Sequence, residues 1–327
     1  MTLKSVHDGY VGLAKQSAKG SGIVPSVFVR FLEGAAFEPN MAIEAYPEGG
    51  GGPYDIDTQK SLQTLDPSFS LYARPSIAAK LLAYALGADS IAGTAAPYTH
   101  TITPVATRVL PWLSIERALK TDLIVERSVD CLLNELVLEG EAGKKLKITA
   151  SFLSLTQALP ATGSSETYDT ETPFRFTDGT FTLFGGAFTR ISKFKLSVRN
   201  NIDGGIQTVN LYREDMQALK LDVDLDFDIV FDSADTNYKT IFYGGGTAPV
   251  VDVATGAATL SFAYGTSGSL RQLAVEVPNF FYKAIGSAFP APTPATLRQA
   301  VSAHALKATG SELITATCKT ADSLAYI

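Results

Sequence analysis

The stretch Leu219–Asp232, LKLDVDLDFDIVFD, places Leu219, Leu221, Val223, Leu225, Phe227, Ile229 and Phe231 at every second position. Lys220, Asp222, Asp224, Asp226, Asp228 and Asp232 fill nearly all the positions between. A period of two describes a β-strand with one apolar and one wet face. Aspartate is a poor strand residue, so this wet face needs its own explanation. Carboxylates at i, i+2, i+4 and i+6 stand about 6.6–6.8 Å apart. Each neighbouring pair repels by roughly 0.6 kcal/mol in water, and by about four times that at an effective dielectric of 20. The face must be hydrated or matched with cations.

Three readings follow. The first is a solvated face partly neutralised by a neighbouring strand, with Lys193, Lys195 and Arg199 of ISKFKLSVRN as partners. The second, calcium, fails on spacing: Phe227 stands where an EF-hand loop needs glycine and Ser233 where it needs glutamate. The third is an anionic surface facing something that must not adhere.

The 327 residues accommodate two ordinary domains or one large β domain. No run approaches the 18 apolar residues of a membrane helix, despite a mean hydropathy of +0.12. The opening MTLKSVHDGYVGLAKQ has no apolar signal-peptide core. A net charge of −6 opposes general nucleic-acid binding. Cys131 and Cys318 form no CxxC pair and read as buried small apolar groups, leaving no metal ligand set and no cofactor cradle. His7, His100 and His304 are isolated from any nucleophile motif, and GEAGKK at 140–145 lacks the spacing of a phosphate loop. An enzyme is not expected.

In chain order, residues 1–21 read as an extended N-terminal arm that orders only between subunits, as does the glycine run at 48–53. Strand signals follow at Val27–Leu32 and Phe37–Tyr46, then at Ser61–Ala73, where Pro67 implies an edge or bulge. PSIAAKLLAYALG has helical grammar, with Pro75 at its start, Ile77, Leu81, Leu82 and Leu86 on a face, and Gly87 as its stop. Strands resume at His100–Pro104 and Trp112–Leu119, followed by a hairpin joined by EAG. After a polar connection at 157–180 the same order recurs: a strand at Ile191–Val198, the acidic strand, and a short helix in SADTNYKTIFYGG. Then come LSFAYG, SLRQLAVEVPNFF, and a final pair turning at Gly310–Ser311. A shift of roughly 160 residues lays Asp66 on Asp226, Ser68 on Asp228 and Leu81 on Ile241, keeping strand parity. The expected fold is mainly β: two tandem domains at 22–160 and 180–327 with a linker at 161–179. Each is a small sandwich or open barrel with one short α-helix.

Taken together, GYVGLAKQSAKGSG, RPSIAAKLLAYALGAD, YTHTITP with LPWLSIER, ETPFRFTDGTFTLFGG before ISKFKLSVRNN, and FDSADTNYKTIFYGGG resemble the tail tube (major tail) proteins of long, non-contractile-tailed bacteriophages, the siphophage type. Their order along nearly the whole chain carries the resemblance. It implies a structural virion protein with no enzymatic activity or cofactor, made in the host cytoplasm. Its rings stack into a hollow tail whose inner sheets join into one continuous β-barrel. The implied partners are further copies of the chain, a tape-measure protein, and tail-tip and tail-terminator proteins, with DNA passing through unbound and no membrane involved. In that setting Asp222, Asp224, Asp226 and Asp228, with Thr64, Asp66, Ser68 and Ser70 as repeat counterparts, are the candidate lumen residues. Carboxylates and hydroxyls would let DNA slide where lysines would hold it. Single-fold members make rings of six; two folds per chain would make a ring of three with pseudo-sixfold symmetry, and one enlarged fold a ring of six. The alternative from another class is a carbohydrate- or ligand-binding β-sandwich using Tyr243, Tyr264, Phe280, Phe281 and Tyr282.

Overall fold

The computed structural model describes residues 9–32, 37, 39–46, 57–119, 124–160, 162–183, 186–206, 210, 212–230, 255–285 and 298–327. In the first half, β1 (Gly9–Lys15) and β2 (Val27–Val29) precede a hairpin of β3 (Pro39–Tyr46) and β4 (Asp57–Leu65). Then come β5 (Ser68–Tyr72), α1 (Pro75–Leu86), β6 (Gly87–Ala92), β7 (Tyr98–Pro104), β8 (Leu113–Leu119), β9 (Val125–Glu141) and β10 (Lys147–Ala158). The second half opens with β11 (Gly179–Leu183), β12 (Gly186–Ala187) and β13 (Ile191–Arg199). A hairpin of β14 (Ile202–Ile206) and β15 (Asp215–Ala218) precedes β16 (Asp222–Val230). The last strands are β17 (Thr255–Tyr264), β18 (Arg271–Ile285), β19 (Arg298–Ala305) and β20 (Thr315–Thr320). The chain is mainly β, with one α-helix among the described residues and no closed barrel. The second expected helix, in residues 233–245, and the glycine run at 48–53 lie outside the described residues.

Among the described residues sixteen strands share one antiparallel sheet; β3–β4 and β14–β15 are separate two-stranded sheets. In the first half the pairing path runs β2–β1–β8–β9–β10–β5. In the second it runs β12–β11–β17–β18–β19–β16. The strands correspond one for one in chain order. Beyond β5 lies a single antiparallel bridge from Phe31 to Leu71, and beyond β16 lies β13. Each two-stranded hairpin precedes the corresponding last strand of the path. The halves are joined where β13 pairs with β9 past the end of β8, and where β20 pairs with β7.

Local chemistry accounts for the main elements. Pro75 occupies the first turn of α1, and Gly87 ends it in the left-handed region at φ 92°. Arg74 supplies no side-chain cap; Glu171 of the connection reaches back to accept a hydrogen bond from Ser76 N at 3.1 Å. Most of α1 is buried, from Ile77 through Leu86, because the sheet wraps it. One apolar core runs from Val11 to Tyr326 through both halves. Its aromatic centre holds Phe194 stacked on Phe262 at 5.5 Å, with Phe181 edge-on to Phe262. Gly140 of β9 packs against it so closely that a Cβ there would meet Phe194 Cε1 at 2.2 Å.

Three expectations change. The N-terminal arm contains β1, which is buried on both faces: Val11 and Leu13 join the main core on one side, and Tyr10 packs with Phe28 and Ala118 on the other, which holds the strand on β8. Pro67 does not bulge one strand but separates β4 from β5, since it cannot donate to a ladder; β5 does lie at the edge of its pairing path, the other alternative the proline implied. The last two strands do not form a hairpin: β18 is 15 residues long, so β20 and β19 lie end to end along it.

Candidate functional site

Strands β5, β10, β9, β13, β16 and β19 lie side by side, so directly opposed residues project to the same side of the sheet. One row reads Ser68, Ser151, Glu135, Arg199, Asp222. The next reads Ser70, Thr149, Val137, Ser197, Asp224, His304. The third reads Tyr72, Lys147, Glu139, Lys195, Asp226, Ser302, and a partial fourth reads Glu141, Lys193, Asp228, Ala300. Between these rows Leu71, Ile148, Leu138, Leu196 and Leu225 point the other way, into the core.

The polar face is striped by strand. β9 contributes glutamates, β13 lysines and arginine, and β16 aspartates. The basic strand thus lies between two acidic ones at the seam that joins the halves. Each aspartate except Asp224 directly faces a cation of β13, so the carboxylates repelling along β16 are matched across the ladder. Ser197 faces Asp224, and its carboxylate is met instead by two cations and an imidazole. Arg199 pairs with one carboxylate oxygen, while Lys283 Nζ at 2.7 Å and His304 Nδ1 at 2.7 Å reach the other. The Asp224 side chain is only 10% exposed. Burial works against the charge on Asp222, yet hydrogen bonds from Lys220 and Asn201 hold its pKa below the ordinary carboxylate value. Burial, followed by the nearby Lys283 charge, holds the His304 pKa below 6.5, so the ring is neutral at pH 7 and Nδ1 donates to Asp224.

Of the eight residues singled out in the sequence, six share this face. Ser68 and Ser70 meet Ser151 and Thr149 through hydroxyl pairs at 3.1 and 2.8 Å. Thr64 lies on β4, in a different sheet, and Asp66 turns aside to accept a hydrogen bond from Arg213 Nη2 at 3.0 Å. Sequence reading missed Glu135, Glu139, Glu141, Lys147, Lys283 and His304 as members. The alternation in NELVLEGE was the available signal for the glutamates; nothing local to β9 shows that β13 lies beside it. The aromatic residues of the binding-module alternative are engaged in packing. Phe280 is 1% exposed, Phe281 packs edge-on to His304, and Tyr264 donates to the Thr172 carbonyl at 2.7 Å. Tyr243 lies outside the described residues.

The connection between the halves forms a second polar centre. Glu116 of β8, fully buried, accepts hydrogen bonds from Tyr10 Oη at 2.6 Å, Ser164 Oγ at 2.8 Å and Arg127 Nε at 2.8 Å. Its pKa is pushed up by burial but more strongly down by these three partners, and ends below its ordinary value of 4.5.

The model of the family described as phage tail tube protein matches residues 7–318. The chain belongs to that family. No curated protein matches it. As a tail tube chain it is a structural component of the virion tail, which assembles with copies of itself into a stacked tube and associates with other tail proteins.

Proposed function

We propose that this tail tube chain carries two tube units, at about 22–160 and 180–327, and that three chains close a ring with pseudo-sixfold symmetry. The observation that carries this reading is the pairing path repeated strand for strand in the two halves. In the ring the polar face of β5, β10, β9, β13, β16 and β19 lines the lumen, and the apolar face packs outward on the core. Its composition suits a conduit. Glu135, Glu139, Glu141, Asp222, Asp224, Asp226 and Asp228 are offset by Lys147, Lys193, Lys195, Arg199 and Lys283, leaving a wall slightly anionic. DNA carries about one charge per 1.7 Å of duplex and is held where basic groups release its counterions, so such a wall lets it pass. A tape-measure protein occupies the same channel during assembly in the host cytoplasm, and tail-tip and tail-terminator proteins close the two ends. The chain has no enzymatic part in this.

A density map of assembled tubes tests the lumen assignment. Asp226, Lys195 and Ser70 are expected on the inner wall, and Asp226→Lys with Asp228→Lys is expected to leave tubes intact while slowing DNA delivery. These side chains on the outer wall would end the assignment.

A further inference from the structure

The two hairpins that precede β5 and β16 hold corresponding places in the chain but have opposite surroundings. β14–β15, from the second half, lies against the first half. Its Met216 and Ala218 are each 4% exposed, packed with Ile202 on Leu110, Trp112, Leu132, Leu153 and Leu155. Polar contacts fix it to the same half: Ile202 N donates to Asn134 Oδ1 at 3.1 Å, and Lys19 Nζ to Asp215 at 2.8 Å. β3–β4, from the first half, is exposed along Asn40, Met41, Ile43, Glu44, Ala45 and Asp57–Lys60. Met41 and Ile43 are 41% and 62% exposed. Among its described residues only the base, at Gln63 and Thr64, is half-buried, beside a hollow shared with Leu155 and Tyr212 of the same chain. The remainder is a two-stranded hairpin, marginally stable by itself, whose exposed Ile43 and Met41 call for a cover.

The repeat indicates what covers it. On the first half, β14–β15 sits where the polar face of β10 turns apolar past Ser151, at Leu153 and Leu155. On the second half, Leu306, 39% exposed, stands just past the end of β19, two residues beyond His304. Leu306 borders a hollow of about 370 Å³ with Leu221 and Leu313 in its wall. We infer that β3–β4 of one chain seats in the Leu221–Leu306–Leu313 hollow of a second copy, so that the contact between chains repeats the contact β14–β15 makes within a chain. This inference rests on the ring reading above. It assigns the hairpin a neighbour in the same ring.

The test compares the wild-type chain with Met41→Asp/Ile43→Asp and, separately, Leu306→Asp. All three positions are exposed in the single chain, so unfolding midpoints are expected to match wild type. The concentration at which rings appear is expected to rise about a hundredfold for the double variant, as two side chains of this size lose their burial. Wild-type assembly with indifferent variants overturns the inference and leaves the ring reading standing; a wild-type chain that never assembles removes both. Should a variant fail to fold, a map of wild-type tubes decides. The hairpin found on its own chain or on the next ring contradicts the inference, and the hairpin found at Leu306 of its ring neighbour confirms it.

Discussion

Asp224→Asn is expected to destabilise the single chain by about 2–3 kcal/mol in urea unfolding, while Asp226→Asn and Asp228→Asn each cost less than about 1 kcal/mol. The three carboxylates share a strand and a face, and composition alone gives no reason to separate them. Asp224 differs in its partners: Arg199, Lys283 and His304 converge on it, and its side chain is 10% exposed. Removing its charge leaves two cations and a histidine donor without their shared acceptor. Arg199 and Lys283 are 43% and 44% exposed and can rehydrate, which places the cost below that of breaking a fully buried pair. Asp224→Lys, which adds a cation to the cluster, is expected to prevent folding. Equal effects at 224, 226 and 228 would show that the face is held by hydration alone.

Glu116→Ala is expected to have a larger effect, about 3–5 kcal/mol, because Glu116 is fully buried and Arg127, itself largely buried, would be left without its carboxylate partner. Tyr10, whose hydroxyl pKa burial and the Glu116 hydrogen bond push up to about 12, would lose its acceptor. The pH dependence has a definite sign. Glu116 has a folded-state pKa below its ordinary value of 4.5, so its contribution is complete above 4.5 and lost as pH falls through the lower folded value. The difference in stability between wild type and Glu116→Gln should therefore shrink on acidification below pH 4.5. A difference that stayed constant down to pH 3 would mean that the buried carboxylate is not what stabilises this corner.

What the sequence disclosed and what it concealed divide by distance along the chain. The parity of β16, the stop of α1 at Gly87 and the β9–β10 hairpin are each decided within a few residues, and each can be read locally. Lys193, Lys195 and Arg199 could be proposed as partners for the aspartates because β13 and β16 alternate in matching lengths. The glutamates of β9 could not be placed. Their neighbour lies more than 50 residues away, and a sheet register of that span is fixed by the whole core rather than by either strand. β6 was missed because GADSIA is poor in β-branched and aromatic residues; its pairing with β7 supplies what composition lacks. Asp66 does not join the face that Asp226 occupies, because the 160-residue shift treats Ser61–Ala73 as one strand, whereas Pro67 divides it and frees Asp66 to reach Arg213. Gly204 lies in a hairpin that packs on Leu153, where a Cβ would come within 3.3 Å of that side chain.

The claim that organises these observations is that one chain supplies two tube units. It is tested most directly by the rotational symmetry of assembled tubes, measured by electron microscopy without imposed averaging. Two units per chain predict three protomers per ring, with six similar but unequal sectors in which the β9–β13 seam alternates with a seam between chains. Six identical protomers per ring, with strands from only one half of each chain in the inner wall, would contradict it.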